Sequence, residues 1–385
     1  MTSPTTNYEA TVGERLRAAR SAAGNTQEEV ASALGVARTT IVAIESGARK
    51  IRPDELIAYA EFLGLSVNAL VHAKRTVDFT AQFRRQPSTK EELRPRLAEE
   101  SSEAERMLQR LTAAYLSVEE LLDRPLQYDY PPEVRITRGS IAGQAEDLAL
   151  DLRARLGLAL RPLEDLVGVA ETELSMRVFE RPLASSIAGA FAYSETTGAC
   201  VILNLNHPRP RRAWTLAHEI GHFLTSRHVG DVVVLDEDGR SERFSDAFAP
   251  AFLLPAAALR RRFNDVCESE GKFSARSLVY LARTFHVSVE AMARRLERLG
   301  VLDQGTYDGL KRRGFSVQLV EGAKEDQSAP ALPAPQRFNM LVAEAYAKEL
   351  LSEGQCTTTL GIDRLAVREL LDALGSDEDL SVAHG

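Results

Sequence analysis

Arg212-Ala213-Trp214-Thr215-Leu216-Ala217-His218-Glu219-Ile220-Gly221-His222-Phe223-Leu224 reads as one helix, because Trp214, Ala217, Ile220, Gly221 and Leu224 recur at helical spacing and share an apolar face. Residues four apart on a helix stand one above the other. The imidazoles of His218 and His222 can therefore reach a single ion. Glu219 sits beside them, placed to act as general base on an attacking water rather than as a ligand. A surface histidine pair needs no buried helix, whereas this one carries an apolar face, and Gly221 lets another element come close.

Working outward, the apolar run Ala199-Cys200-Val201-Ile202-Leu203-Asn204 is the clearest strand, and only a short Pro-containing turn separates it from the histidine helix. A helix rich in Leu and Ala, Ala145 to Leu156, precedes it. A catalytic zinc ion normally takes three protein ligands, so one more donor is required. The best candidate is Glu242, in Glu242-Arg243-Phe244-Ser245-Asp246-Ala247-Phe248-Ala249, a second helix with Glu242 and Asp246 on one face. Asp246 is then expected to accept the outer N–H of a ligating histidine and fix its tautomer. Asp236, Glu237 and Asp238 compete as ligands but occupy an acidic, Gly-terminated loop that reads as solvated. The strand through Val201 and Leu203 is expected to hold an extended substrate by edge pairing. Tyr193, His207 and His228 are candidate oxyanion partners, though each reads more simply as a turn or surface residue. From Phe273 to Leu302 two helices, turned at Val287-Ser288-Val289-Glu290, are expected to support the packing, with Arg294, Arg295 and Arg298 exposed.

With these residues in view, the stretch from about Gly143 to Leu302 resembles the ImmA/IrrE-type metallopeptidases. The strand ending at Asn204, the Arg212-to-His222 helix and the block Phe248-Ala249-Pro250-Ala251-Phe252-Leu253-Leu254-Pro255 match that family in order and spacing. The resemblance implies zinc (Zn2+), an endopeptidase reaction, His218, His222 and Glu242 as ligands and Glu219 as base. One departure is Ser245-Asp246 where the family usually has Ala-Asn; the ligand Glu is intact, and Asp is what gluzincin peptidases use there.

The segment from Val12 to about Ala73 shows short amphipathic helices separated by tight turns. Thr26-Gln27-Glu28-Glu29 is a capping box that starts a helix at Gln27. Gly35 supplies a left-handed turn residue, and a second helix runs from about Ala37 to Ser46. Two helices joined by a Gly-containing turn form a helix-turn-helix signature, with Ala31, Val36, Ile41 and Ile44 as the packing side and Arg38, Thr39, Thr40 and Ala43 outward. Gly13 to Leu70 resembles the XRE-type, or phage-repressor, helix-turn-helix family at Gln27, Gly35-Val36, Glu45-Ser46-Gly47 and Leu63-Gly64-Leu65-Ser66. That resemblance implies base contacts from Arg38, Thr39 and Ala43, a phosphate contact from Gln27, and an internal Arg20–Glu45 ion pair. An Arg can take guanine bidentately, and an Ala methyl suits the thymine methyl. Ala37 stands where a Ser or Thr cap is common, which weakens that helix start slightly.

The rest of the chain frames these two regions. At 385 residues and 44% hydrophobic content it can bury several cores. No stretch approaches the ~20 apolar residues of a membrane span, and Met1 to Ala10 lacks the basic and apolar regions of a secretory signal. Three widely spaced cysteines, Cys200, Cys267 and Cys356, argue against a disulfide framework and for a reducing cytoplasm. The net charge of −8 does not exclude DNA, since a local basic face is what meets phosphates.

The expected architecture is mostly α and multidomain: a helix-turn-helix domain at 1–75, a helical connector at 76–135 and an α+β zincin-like domain with a small sheet at 136–305. An extended segment and Pro- and Ala-rich linker at 306–336 and a small helical C-terminal domain with an acidic tail at 337–385 complete it. The connector is charged, contains Arg84-Arg85-Gln86-Pro87 and a long helix from Thr89 to Asp123, and stops at Asp129-Tyr130-Pro131-Pro132. Function is expected to be that of a transcription regulator binding operator DNA as a homodimer and carrying a zinc endopeptidase. Its substrate is a partner protein such as a repressor, in a stress or phage-related response. The alternatives are a regulator whose zinc-binding domain is a sensor, or a non-catalytic interaction scaffold; an intact Glu219 speaks against the last.

Overall fold

A computed structural model of the chain describes residues 12–63, 79, 82–85, 94–227, 239–315 and 335–375. The chain divides into two compact units, Met1–Thr76 and Val77–Gly385.

The first unit contains α1 (Val12–Ala22), α2 (Gln27–Leu34), α3 (Arg38–Glu45) and α4 (Pro53–Leu63). The capping box at Thr26 is formed: its hydroxyl accepts from the Glu29 amide, and the Glu29 carboxylate accepts from the Thr26 amide at 2.6 Å. Gly35 ends α2 at φ 64, the left-handed conformation a side chain resists. Leu16, Val30, Ala31, Ile41, Ile44, Tyr59 and Ala60 close the core, with Val36 packed at its edge. One buried carboxylate ties the helices together. Glu45 accepts from Arg20 Nε at 2.6 Å, Gln27 Nε2 at 2.9 Å and the Tyr59 hydroxyl at 2.9 Å, so the implied Arg20–Glu45 pair is present.

The second unit is built on a four-stranded sheet in the order β1-β3-β4-β2. The strands are β1 (Gln82–Arg85), β2 (Arg177–Arg181), β3 (Ile187–Ser194) and β4 (Gly198–Asn204). Only the β2–β4 pairing is parallel; β1–β3 and β3–β4 are antiparallel. Side chains alternate across a strand, and here both faces are covered. Val178, Phe191, Ala199, Val201 and Leu203 point into one core, and Phe179, Ala190, Ala192, Cys200 and Ile202 into another.

The first face is covered by α6 (Ile141–Arg155), α7 (Leu166–Thr172), α8 (Arg209–Ser226), α9 (Arg240–Leu253), α10 (Ala256–Glu270), α11 (Ala275–Thr284) and α12 (Val289–Arg298), with α13 (Thr306–Arg312) beyond. The second is covered by the long α5 (Arg94–Leu121) and by α14 (Gln336–Ala347), α15 (Glu353–Leu360) and α16 (Arg364–Gly375).

Three expectations change here. The helix read as a connector and the helices read as a separate tail domain instead form one layer over the sheet. They are locked by Glu119 of α5, which pairs with Arg177 of β2 at 2.8 Å and with Arg337 of α14. β4 cannot pair a substrate by its edge, because β2 and β3 already take its backbone groups on both sides; among the described strands the sheet edges are β1 and β2. Arg295 is buried, not exposed: it donates to the Leu254 carbonyl at 3.1 Å and pairs with Glu146, which pins α12 beneath α6. Arg294 bridges to Asp308 of α13. The linker, the acidic tail, His228, residues 236–238 and most of the extended segment after Phe315 lie outside the described residues.

Candidate functional site

α8 follows β4 after a short turn and lies against β3, where Gly189 makes room: a Cβ there would stand 2.8 Å from Thr215 Cγ2 and 2.9 Å from the Ile202 carbonyl. Every residue from Thr215 to Leu224 is buried. His218 and Glu219 are each 1% exposed and His222 8%. α9 packs across α8 at Gly221, where an added Cβ would lie 2.9–3.1 Å from Ser245. That close approach delivers Glu242 to the two histidines.

The three donors form a nearly regular triangle. His218 Nε2 lies 3.1 Å from His222 Nε2 and 3.3 Å from Glu242 Oε1, and His222 Nε2 lies 3.1 Å from Glu242 Oε2. Ligands held ~2.0–2.1 Å from an ion at tetrahedral angles stand ~3.3 Å apart, so the spacing suits zinc. The chemistry of the donors agrees. His218 Nδ1 is 3.1 Å from Asp246 Oδ1, which keeps the proton on Nδ1 and leaves Nε2 a lone pair. Lone pairs and a carboxylate converging on one point call for a cation. The Glu242 and Asp246 side chains remain 59% and 58% exposed, so the site opens to solvent on the α9 side.

His218, His222 and Glu242 thus lie together as a group that could hold a metal ion, with Asp246 beside His218. Of the oxyanion candidates, His228 lies outside the described residues, and His207 is buried in the turn before α8, where burial lowers its pKa. Tyr193 packs instead on Tyr130 and under the Arg227 guanidinium. A residue the sequence did not single out is Ser241, whose hydroxyl lies 3.3 Å from His222 Nδ1. A Ser directly before a ligand Glu was the available signal.

Gly221→Ala is expected to force α9 away from α8, because the clash includes the Ser245 backbone Cα and cannot be relieved by a rotamer change. The cost should be ~1–3 kcal/mol of stability, with weakened metal uptake because Glu242 and Asp246 ride on α9. Thermal unfolding and metal titration of the variant check both effects; unchanged values would show that the helices can part freely.

In the first unit, α3 presents Arg38, Thr39 and Val42 to solvent, while Thr40 and Ala43 are half-buried. Val42, 42% exposed, was not anticipated; its spacing from Arg38 and Thr39 was the legible sign. Ala37 makes no side-chain cap. The Gln27 side-chain amide is turned inward and donates to Glu45. Arg17, Arg20, Asn25, Thr26, Gln27, Glu28 and Arg38 line a hollow of about 540 Å³ there.

A two-histidine helix with an intervening Glu, completed by a Glu from the next helix over a small mixed sheet, defines a zincin-like metal site, and the first unit has helix-turn-helix form. Comparison with known families agrees. Residues 171–297 match peptidase family M78, described as the IrrE N-terminal-like domain, and residues 13–75 match a family described as helix-turn-helix domain. The chain therefore joins a helix-turn-helix domain to an M78 peptidase domain. No curated protein matches it. Among the described residues no helix is long and apolar enough to cross a membrane.

Proposed function

We propose that this chain is a DNA-binding transcription regulator whose second unit is a zinc-dependent endopeptidase acting on a partner protein, with a repressor as the favoured substrate. The observation that carries the peptidase reading is the triangle of His218, His222 and Glu242 beside a buried Glu219. A site that served structure alone would have no use for that Glu.

Zinc held by His218, His222 and Glu242 would supply a Lewis acid that polarises the scissile carbonyl and acidifies water. Glu219 takes the proton of the attacking water and returns it to the leaving amine. Its burial shields the proton transfer from bulk solvent. Asp246 orients His218 from behind. The substrate enters from the solvent-open side at Glu242 and Asp246.

The test is to incubate the zinc-loaded chain with cellular proteins and read new N-termini by mass spectrometry. Cleavage that is lost on chelation and restored by zinc supports the reading; no zinc-dependent N-terminus defeats it.

The first unit is proposed to read operator DNA as one half of a homodimer, α3 entering the major groove with Arg38, Thr39 and Val42 foremost and Thr40 and Ala43 behind, and the backbone N–H groups at the start of α2, around Gln27, at a phosphate. Unpaired Cys200, Cys267 and Cys356 suit a reducing cytoplasm, and a stress or phage-related response is the proposed setting. Replacing Arg38 by Ala should cost ~1–3 kcal/mol in operator binding and relax discrimination at one base pair. Fluorescence anisotropy on matched and mismatched duplexes measures this, and parental affinity in the variant would show that α3 is wrongly placed.

A further inference from the structure

On α8, Thr215, Glu219 and His222 recur at helical spacing and so share one face. β3 runs along that face. Gly189 of β3 sits against Thr215, and the rings of Phe191 and Phe223 stand 6.2 Å apart, so the strand passes both histidines on its way. α7 packs on α8 and on β2 at the far side of the sheet, which turns the metal face towards the β3 side. Within residues 171–297, the stretch that matches the peptidase family, the described strands run in the order β3-β4-β2. Taken by itself, that stretch would leave the outer edge of β3 bare. A bare edge of this kind is a rail on which an extended peptide adds as a further strand.

The rail is already taken. β1 comes from ahead of the matched stretch and pairs antiparallel with β3, Gln82 opposite Phe191, Phe83 opposite Ala190 and Arg84 opposite Gly189. It therefore covers the same reach of β3 that lies along the two histidines. The hold is short: β1 has four residues, and its register slips between Arg84 and Arg85. A tether lies just before it, where Phe79 is buried in the second core and its carbonyl accepts from Gln109 Nε2 of α5 at 3.0 Å. From this we infer that β1 is a built-in, displaceable occupant of a peptide-docking edge, holding the place that an extended substrate must win. That the docked peptide is a substrate rests on the peptidase reading above. The strand also follows directly on the first unit, which ends at Thr76, so the segment joining the two units is the one that closes the edge.

The experiment uses the full chain with Phe83→Pro and, separately, Arg84→Pro. Successive residues of an edge strand turn their N–H groups to opposite sides, so one of the two prolines removes a bond to β3 and the other an outward N–H. First, a fluorescein-labelled peptide with the sequence of residues 81–86 is titrated into each metal-free chain by anisotropy. It should bind the inward proline variant roughly tenfold more tightly than wild type, because the open fraction sets the apparent affinity. Second, for a peptide cleaved from a proteome-derived library by the zinc-loaded chain, KM should fall by roughly the same factor with kcat unchanged. Far-UV circular dichroism equal to wild type shows that the variants fold; if a proline unfolds the chain, Phe83→Gly with Arg84→Gly weakens the strand without removing an amide and should shift both quantities the same way. Equal peptide affinity in wild type and all variants overturns the inference. A raised KM in the inward variant overturns it too, since β1 would then be the rail itself. Tighter peptide binding with no hydrolysis by any chain defeats the peptidase reading alone and leaves β1 guarding a docking edge.

Discussion

Glu219→Gln should lose peptide-bond hydrolysis by roughly 10²–10⁴-fold while keeping zinc and operator binding. Glutamine matches the size of the buried side chain, which is 1% exposed, but cannot take a proton from water. The donor triangle of His218, His222 and Glu242 is untouched by the change, so metal content should equal that of wild type. The helix-turn-helix lies in a separate unit and should bind DNA unaltered. That split of properties distinguishes a catalytic base from a residue that only supports the fold, whose loss would lower zinc content as well. In cells, the protein that declines when wild type is induced, but not when Glu219→Gln is induced, is the substrate. Equal declines under both would show that the chain acts through transcription alone and that its second unit is a sensor.

The centre of this site was legible because it is local. Helical periodicity alone put His218 and His222 on one face, and the spacing of Glu242 and Asp246 marked the helix that completes it. Ser241 carries only a weak sign in the sequence, its place directly before Glu242, because its contact with His222 depends on how α9 packs on α8. β4 was found, but its unbroken run from Ala199 to Leu203 was read as a strand with a usable edge. An uninterrupted apolar strand is instead the sign of a strand covered on both faces. The missing cover was the apolar side of α5, with Leu108, Leu111 and Leu116 buried against Ile202 and Cys200. Taking that helix for a connector and the C-terminal helices for a separate domain were therefore one error. Arg295 was misread for a related reason: its burial is created by Glu146 and the Leu254 carbonyl, distant in sequence.

The same folding-over of the C-terminal layer leaves a costly carboxylate at Glu171, and its removal should stabilise the second unit in a pH-dependent way. α14 begins after Pro335 with no side-chain cap of its own. Glu171 of α7 supplies one from across the chain, its Oε2 accepting from the Gln336 amide at 2.9 Å, while its Oε1 is buried with no hydrogen-bond partner among the described residues. Burial pushes this carboxyl up to about 8, aided by the charges of Asp165 and Glu180 and opposed by the hydrogen bonds from the α14 amides. The folded chain therefore holds the proton more tightly than the unfolded chain, whose Glu titrates near ~4.3. Stability contributed at this position is highest below that pH and is lost at up to ~1.4 kcal/mol per pH unit as pH rises towards 8, levelling off above. Glu171→Gln keeps a carbonyl oxygen for the Gln336 amide and cannot ionise. Its advantage over wild type should be small at pH 4.5 and grow to the order of 4 kcal/mol at pH 8.5. Denaturant unfolding followed by fluorescence of Trp214, the sole tryptophan and a residue of α8, reports on this unit. An advantage of equal size at both pH values would mean that the carboxyl does not titrate in this range. The C-terminal layer would then be held without a charge penalty at Glu171.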